Sequence, residues 1–211
     1  MERFVDKIQK GNIYCVGARP FVDKAQFCIG VASLLASKGN KVLYISHEMD
    51  EDTFTKKLHT TCSNDGDNIN FEEVYKLTLE GLEMFASEDN YGLIVFDPFD
   101  IYSLDLDIGD LKEFAKKKNI AILLTTNLAR PPLDEDRAHP VLSDMKFIDE
   151  KAYKKLIAFS ELILFLTQEP SANEFGIYVA KNPRGDIGFL WYSKNINNHF
   201  LKNIKIWQVP L

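Results

Sequence analysis

No stretch of apolar residues approaches the roughly 20 that a membrane-crossing helix needs, and the opening residues Met1-Glu2-Arg3-Phe4 lack the apolar segment of a secretory leader. The expectation is a cytoplasmic protein with no membrane partner. Cysteine is scarce: Cys15, Cys28 and Cys62 lack metal-ligand spacing, and two of them sit in apolar segments where a free thiol behaves as a small hydrophobe. Zinc and redox chemistry are therefore not expected. Positive charge is also short, with 25 Lys and Arg against 31 Asp and Glu and a net charge of −6. That balance leaves no basic footprint for an isolated DNA-coating protein, although a local basic loop in an oligomer stays compatible with it. Repeats, long linkers and low-complexity tracts are absent as well. At 211 residues and 45% hydrophobic content the chain can bury one substantial core. A single domain over residues 1–211 is expected.

What is present is an alternation of apolar strands and helices. Ile13 to Val16 reads as a strand, and Phe27, Cys28, Val31, Ala32, Leu34 and Leu35 keep helical spacing up to the stop signal at Gly39. Lys41 to Ser46 follows as a buried strand. A helix is predicted over Phe71 to Ala86, then a strand over Leu93 to Asp97. Further helices at Asp110 to Lys118 and Glu150 to Phe159 lead into strands at Ile120 to Thr126 and Leu162 to Thr167. Near-continuous apolar strands separated by helices predict an α/β fold with a mainly parallel sheet covered on both faces. Phe175 to Lys181 and Gly188 to Ser193 flank Asn182-Pro183-Arg184-Gly185-Asp186, the pattern of a C-terminal β-hairpin.

The first strand runs into Gly17-Ala18-Arg19-Pro20-Phe21-Val22-Asp23-Lys24-Ala25, and a helix follows at once. The order strand, loop, lysine, helix is that of a phosphate-binding loop, G-x-x-x-x-G-K-[ST], in which backbone N–H groups close on the phosphates, lysine meets them and the hydroxyl holds Mg²⁺. Lys24 is retained. Ala18 and Asp23 stand at the glycine positions and Ala25 at the hydroxyl position.

Taken in order, these segments resemble the C-terminal ATPase domain of DnaB-type replicative helicases, a RecA-like branch of the P-loop NTPases, over most of the chain. Ala18-Arg19-Pro20 ahead of Lys24 resembles that family's loop, which implies nucleotide contacts at Arg19, Asp23, Lys24 and Ala25. Ser46-His47-Glu48-Met49 resembles its Ser-Leu-Glu-Met and implies a water-activating role for Glu48. Leu93-Ile94-Val95-Phe96-Asp97 resembles the Walker B strand, which implies Asp97 as the Mg²⁺ residue. Thr126-Asn127-Leu128-Ala129-Arg130 resembles Ser-Gln-Leu-Asn-Arg, with Asn127 in place of the γ-phosphate sensor. Ser143-Asp144-Met145-Lys146 resembles the start of the DNA-contacting loop, and Arg130 and Lys146 carry the implied DNA role. Ala180-Lys181-Asn182-Pro183-Arg184-Gly185 resembles the segment that offers Lys181 and Arg184 to a neighbouring subunit's nucleotide. ATP, Mg²⁺, single-stranded DNA and a homo-oligomer or helicase partner are what the resemblance implies.

The departures bear on chemistry. Asp23 brings a negative charge to where phosphate oxygens approach, and a like-charge pair at about 4 Å costs about 4 kcal/mol at an effective dielectric near 20. Ala25 removes a hydroxyl ligand of the ion that neutralises charge in phosphoryl transfer. Pro183 takes the usual arginine position, with Arg184 one residue later. The sequence begins almost directly at the core, so a self-sufficient replicative helicase is not expected. His47 adjoins Glu48, whereas His59, His139 and His199 have no companion pattern. Lys116-Lys117-Lys118 reads as the solvated end of a helix, and Lys151, Lys154 and Lys155 as the polar face of another. The leading expectation is a hydrolysis-deficient binding or assembly module in a DNA-associated process, with weak or lost ATP binding. The alternatives are an active ATP-dependent helicase or accessory ATPase, and a regulator that binds a ligand other than ATP.

Overall fold

The computed structural model describes residues 2–62, 66–99, 104–129, 140–147, 150–168, 174–185, 187–193 and 204–207. A short helix α1 (Glu2–Val5) precedes β1 (Ile13–Ala18), α2 (Lys24–Ser37) and β2 (Lys41–Ser46). Next come α3 (Glu51–Thr61), β3 (Ile69–Glu73), β4 (Leu77–Thr78), α4 (Leu79–Glu88), β5 (Tyr91–Phe96) and β6 (Leu104–Asp105). The chain continues through α5 (Ile108–Lys118), β7 (Ala121–Asn127), a 3-10 helix (Leu142–Phe147), α6 (Glu150–Phe159) and β8 (Ser160–Gln168) to β9 (Glu174–Lys181), β10 (Gly188–Ser193) and β11 (Ile204–Trp207). Nine strands form one sheet in the order β11-β10-β9-β8-β1-β7-β5-β2-β3, and β4 pairs with β6 apart from it. Every neighbouring pair from β8 across to β3 is parallel. The pairs β8–β9, β9–β10 and β10–β11 are antiparallel. The mainly parallel α/β sheet and the C-terminal hairpin are as the sequence predicts.

Period-two alternation divides the core between the two faces of the sheet. Tyr14, Val16 and Ala18 of β1, Leu93 and Val95 of β5, and Ala121 and Leu123 of β7 pack with α1, α2 and α3. Ile13 and Cys15, Ile94 and Phe96, and Ile122 and Leu124 pack on the other side with α4, α5 and α6. Strands buried on both faces are apolar at most positions, which is why they read as near-continuous apolar runs, with Ser46, Thr125 and Thr126 as buried polar exceptions near the strand ends. Cys15 and Cys28 are both buried, and burial alone pushes the Cys15 thiol up to about 12, so it stays protonated and packs as a small hydrophobe.

At Gly17 the sheet requires the absence of a side chain. A Cβ there would stand 2.9 Å from Leu128 Cδ2 and 3.0 Å from Phe165 Cδ1, tighter than packed carbons allow. The glycine lets the Leu128 and Phe165 side chains close over β1 just before the loop.

One predicted element is wrong. The helix expected over Phe71 to Ala86 begins only at Leu79, where the Thr78 hydroxyl accepts the Gly81 N–H at 3.2 Å and caps it. Upstream the chain is extended: Ile69 to Glu73 lies parallel to Val42 to Ser46. Tertiary packing decides the conformation, because Phe71 stacks on Phe54 with ring centroids 4.6 Å apart and also faces Tyr44. A helix that the sequence reading passed over, α3, supplies Phe54. Its cap is Asp50, whose carboxylate accepts the Thr53 N–H at 2.8 Å, and its buried residues are Phe54, Leu58 and Thr61.

Candidate functional site

The parallel strands end along one edge of the sheet, where open α/β folds place their ligands. Register brings Ala18 of β1 beside Asn127 of β7, and Asp97 follows β5 directly, its N–H donating to Ile45 O of β2 at 2.9 Å. The loop after β1, Asp97 and Asn127, predicted from separate segments, thus share one edge.

The loop that leaves β1 is stabilised by its own groups. Val22 N–H donates to Arg19 O at 3.3 Å, and Lys24 N–H to Val22 O at 2.9 Å. Phe21 takes a left-handed backbone (φ 72) and its side chain is 95% exposed, a conformation disfavoured for a bulky residue and found mostly where function or surrounding structure imposes it. Asp23 is the N-cap of α2, and its Oδ1 accepts the Gln26 N–H at 2.9 Å. Its Oδ2 lies 2.6 Å from Lys57 Nζ of α3. A carboxylate at this helix terminus is favoured by the unpaired N–H groups and the dipole. Lys24 does not pair with Asp23; its ammonium donates to Asn127 Oδ1 at 2.8 Å. The loop lysine and the residue at the sensor position are therefore in direct contact.

Asp97 is buried at the end of β5. Tyr44 donates to one carboxylate oxygen at 2.5 Å and Thr125 to the other at 2.8 Å. Burial pushes its carboxyl above the ordinary value, an effect opposed by the Tyr44 and Thr125 hydroxyls and by the Lys24 charge. The Tyr44 phenol is itself pushed well up by burial and by Asp97, which keeps it a proton donor. Glu48 is exposed just beyond β2, where its N–H and that of Met49 donate to the Ser46 hydroxyl at 3.3 and 3.1 Å. Ala25 opens the first turn of α2 and offers no oxygen.

Arg19, Lys181 and Arg184 are engaged in contacts within the chain. Arg19 lies 3.4 Å from Asp144, a buried carboxylate that also accepts the Val141 N–H at 3.1 Å. This ties the loop to the 3-10 helix that contains Lys146. Arg130 lies outside the described residues. Lys181 turns inward: its ammonium donates to Ile157 O at 2.5 Å, Ser160 O at 2.7 Å and Ala158 O at 3.4 Å, closing the end of α6. Arg184 meets Glu161 at 2.7 Å and Gln9 at 2.7 Å. Sequence reasoning missed Lys57 and Tyr44. The Tyr44 position inside an apolar strand carried a weak signal, since a buried phenol needs a polar partner.

No protein-family model matches the chain, and no curated protein does. Solved structures do. One is an ATPase domain, which superposes with a TM-score of 0.76 at 16% identity, covering 95% of this chain and 89% of that one. A DnaB-like replicative helicase, solved in connection with its interactions with primase, gives 0.74 at 17% identity over 94% of this chain and 60% of its own length. The flagellar accessory protein FlaH from Methanocaldococcus jannaschii gives 0.70 at 14%, covering 95% and 92%. Among the described residues no helix is long and apolar enough to cross a membrane. With nearly the whole chain superposed, and with the parallel strands carrying the loop at β1, this chain has the RecA-like fold of DnaB-type helicase ATPase domains.

Proposed function

We propose that the chain is a hydrolysis-deficient member of this fold, with ATP binding weakened or lost, that works as a binding or assembly module in DNA replication or another DNA-associated process. The observation that carries this reading is Asp23. Its carboxylate sits at the N-terminus of α2, bonded to a backbone N–H and to Lys57, where a nucleotide's phosphate oxygens would need those donors.

Three further observations support it. Lys24 N–H is bonded within the loop and Lys24 Nζ is bonded to Asn127. Asp97 is buried and each of its oxygens already accepts a hydroxyl proton inside the core, so a metal-bound water has to compete for the remaining lone pairs. Ala25 supplies no metal ligand. In this arrangement the residues present do not fit Mg²⁺ and a triphosphate. The net charge of −6 favours a protein partner, a helicase or a second copy of the chain, over direct capture of single-stranded DNA by an isolated subunit.

Calorimetric titration with ATP, with and without Mg²⁺, is the direct test. Weak binding heat or none, and no phosphate release, are expected, and Asp23→Gly combined with Ala25→Thr is expected to raise the affinity for Mg²⁺-ATP. Turnover by the unaltered protein that is lost in Lys24→Ala or Glu48→Gln would establish the alternative, an active ATPase. That alternative draws on the retention of Lys24, Glu48 and Asp97 at one edge. Selective thermal stabilisation by a different ligand would favour a regulator instead.

A further inference from the structure

Lys57 belongs to no motif, yet it reaches Asp23 in the loop after β1. It lies on α3, and its Nζ is 2.6 Å from Asp23 Oδ2, while the other oxygen of that carboxylate accepts the Gln26 N–H at 2.9 Å. The side chains are 32% and 43% exposed, so the contact lies at the mouth of the loop and not in the core. A backbone N–H at a helix start and an ammonium are the donor types that hold a phosphate oxygen. Here both hold a carboxylate supplied by the chain itself.

We propose that Asp23 and Lys57 form an internal latch: the Asp23 carboxylate stands in for a phosphate group at the N-terminus of α2, and Lys57 fastens it there from α3. This inference rests on the hydrolysis-deficient reading and names the device behind it. A latch differs from simple repulsion in what it asks of Lys57. If Asp23 merely repelled anions, Lys57 would be an independent positive charge whose removal weakens anion binding equally in every background. In a latch Lys57 is already spent on Asp23, so it contributes to binding chiefly after that carboxylate is neutralised. The two residues are then non-additive in a double-mutant cycle.

Asp23→Asn is the informative substitution, because asparagine is as good an N-cap as aspartate and keeps an oxygen for Gln26 N–H while losing the charge. Asp23→Ser, also a good cap, is the second variant, and circular dichroism checks that both are folded. The probe is inorganic pyrophosphate, titrated calorimetrically at fixed ionic strength. Removing a like charge in contact with the anion is expected to tighten binding by at least about tenfold in either variant. Adding Lys57→Gln to Asp23→Asn is expected to abolish most of that gain, a larger effect than Lys57→Gln has in the unaltered protein. The latch is overturned if the folded Asp23→Asn and Asp23→Ser proteins bind pyrophosphate no more tightly than the parent. It is equally overturned if Asp23→Asn/Lys57→Gln binds as tightly as Asp23→Asn. ATP turnover by the parent protein overturns the hydrolysis-deficient reading and not the latch, which is judged on pyrophosphate affinity alone.

Discussion

Asp23 holds a structural post as well as a chemical one. Its carboxylate caps α2 through Gln26 N–H, so Asp23→Ala is expected to destabilise the fold by about 0.5–2 kcal/mol through the lost cap. The half-exposed pair with Lys57 adds no more than about 1 kcal/mol. Urea unfolding of Asp23→Ala beside Asp23→Asn separates the two contributions, and equal stability of both variants would rule out the capping role. Asp97 makes a pH-dependent contribution of definite sign. Its native carboxyl is raised above the ordinary 3.8 chiefly by burial, so between 3.8 and the raised value the folded state keeps a proton that the unfolded chain has released. Stability from this group is fully present below about 3.8 and declines as pH climbs through the raised native value. Asp97→Asn is expected to remove that decline. Unfolding free energies of the two proteins measured from acid to neutral pH should converge or cross in that direction, and a pH-independent difference would refute the assignment.

At the scale of elements, the strands and helices next to the site differ in how plainly the sequence announces them. β1, β2, β5, β7 and β8 are buried on both faces, and their near-continuous apolar runs make strand ends, and with them Asp97 and Asn127, readable in advance. α3 and β3 are not announced in this way. α3 is polar over most of its surface, with only Phe54, Leu58 and Thr61 buried. β3 gains its conformation from pairing with β2 and from Phe71 stacking on Phe54, contacts that no local window contains. The Lys57–Asp23 pair joins residues 34 positions apart across that unannounced helix, so half of the loop's chemistry was hidden. Two element-level predictions follow from close contacts. Gly17→Ala would press a methyl group onto Leu128 and Phe165 and is expected to cost about 1–3 kcal/mol by thermal or urea unfolding. Lys181→Met removes the donor shared by Ile157, Ala158 and Ser160 carbonyls, a loss of about 1–3 kcal/mol where the acceptors are left unsatisfied. A lysine that served only a neighbouring subunit would leave monomer stability untouched.

For the molecule as a whole, the fold was legible and its use was not. Alternation of apolar strands with helices fixes a parallel sheet and the edge at which a ligand would sit. Whether that edge still takes nucleotide depends on where a few oxygens and ammonium groups point, which sequence spacing cannot supply. The acidic balance of −6 carries a further expectation: fluorescence anisotropy of a labelled oligothymidylate should stay flat on addition of the isolated protein at physiological salt. Tight binding with a steep salt dependence would show a basic track that the net charge conceals.

The left-handed, fully displayed phenylalanine at position 21 gives the loop a built-in reporter. A protease that cleaves after aromatic residues finds its preferred side chain already in solvent, but it can thread the peptide bond only when the turn around it uncoils. Cleavage should therefore be slow and should track the equilibrium of local opening. Loosening the tether from α3 should quicken the nick between β1 and α2 well before the sheet itself unfolds.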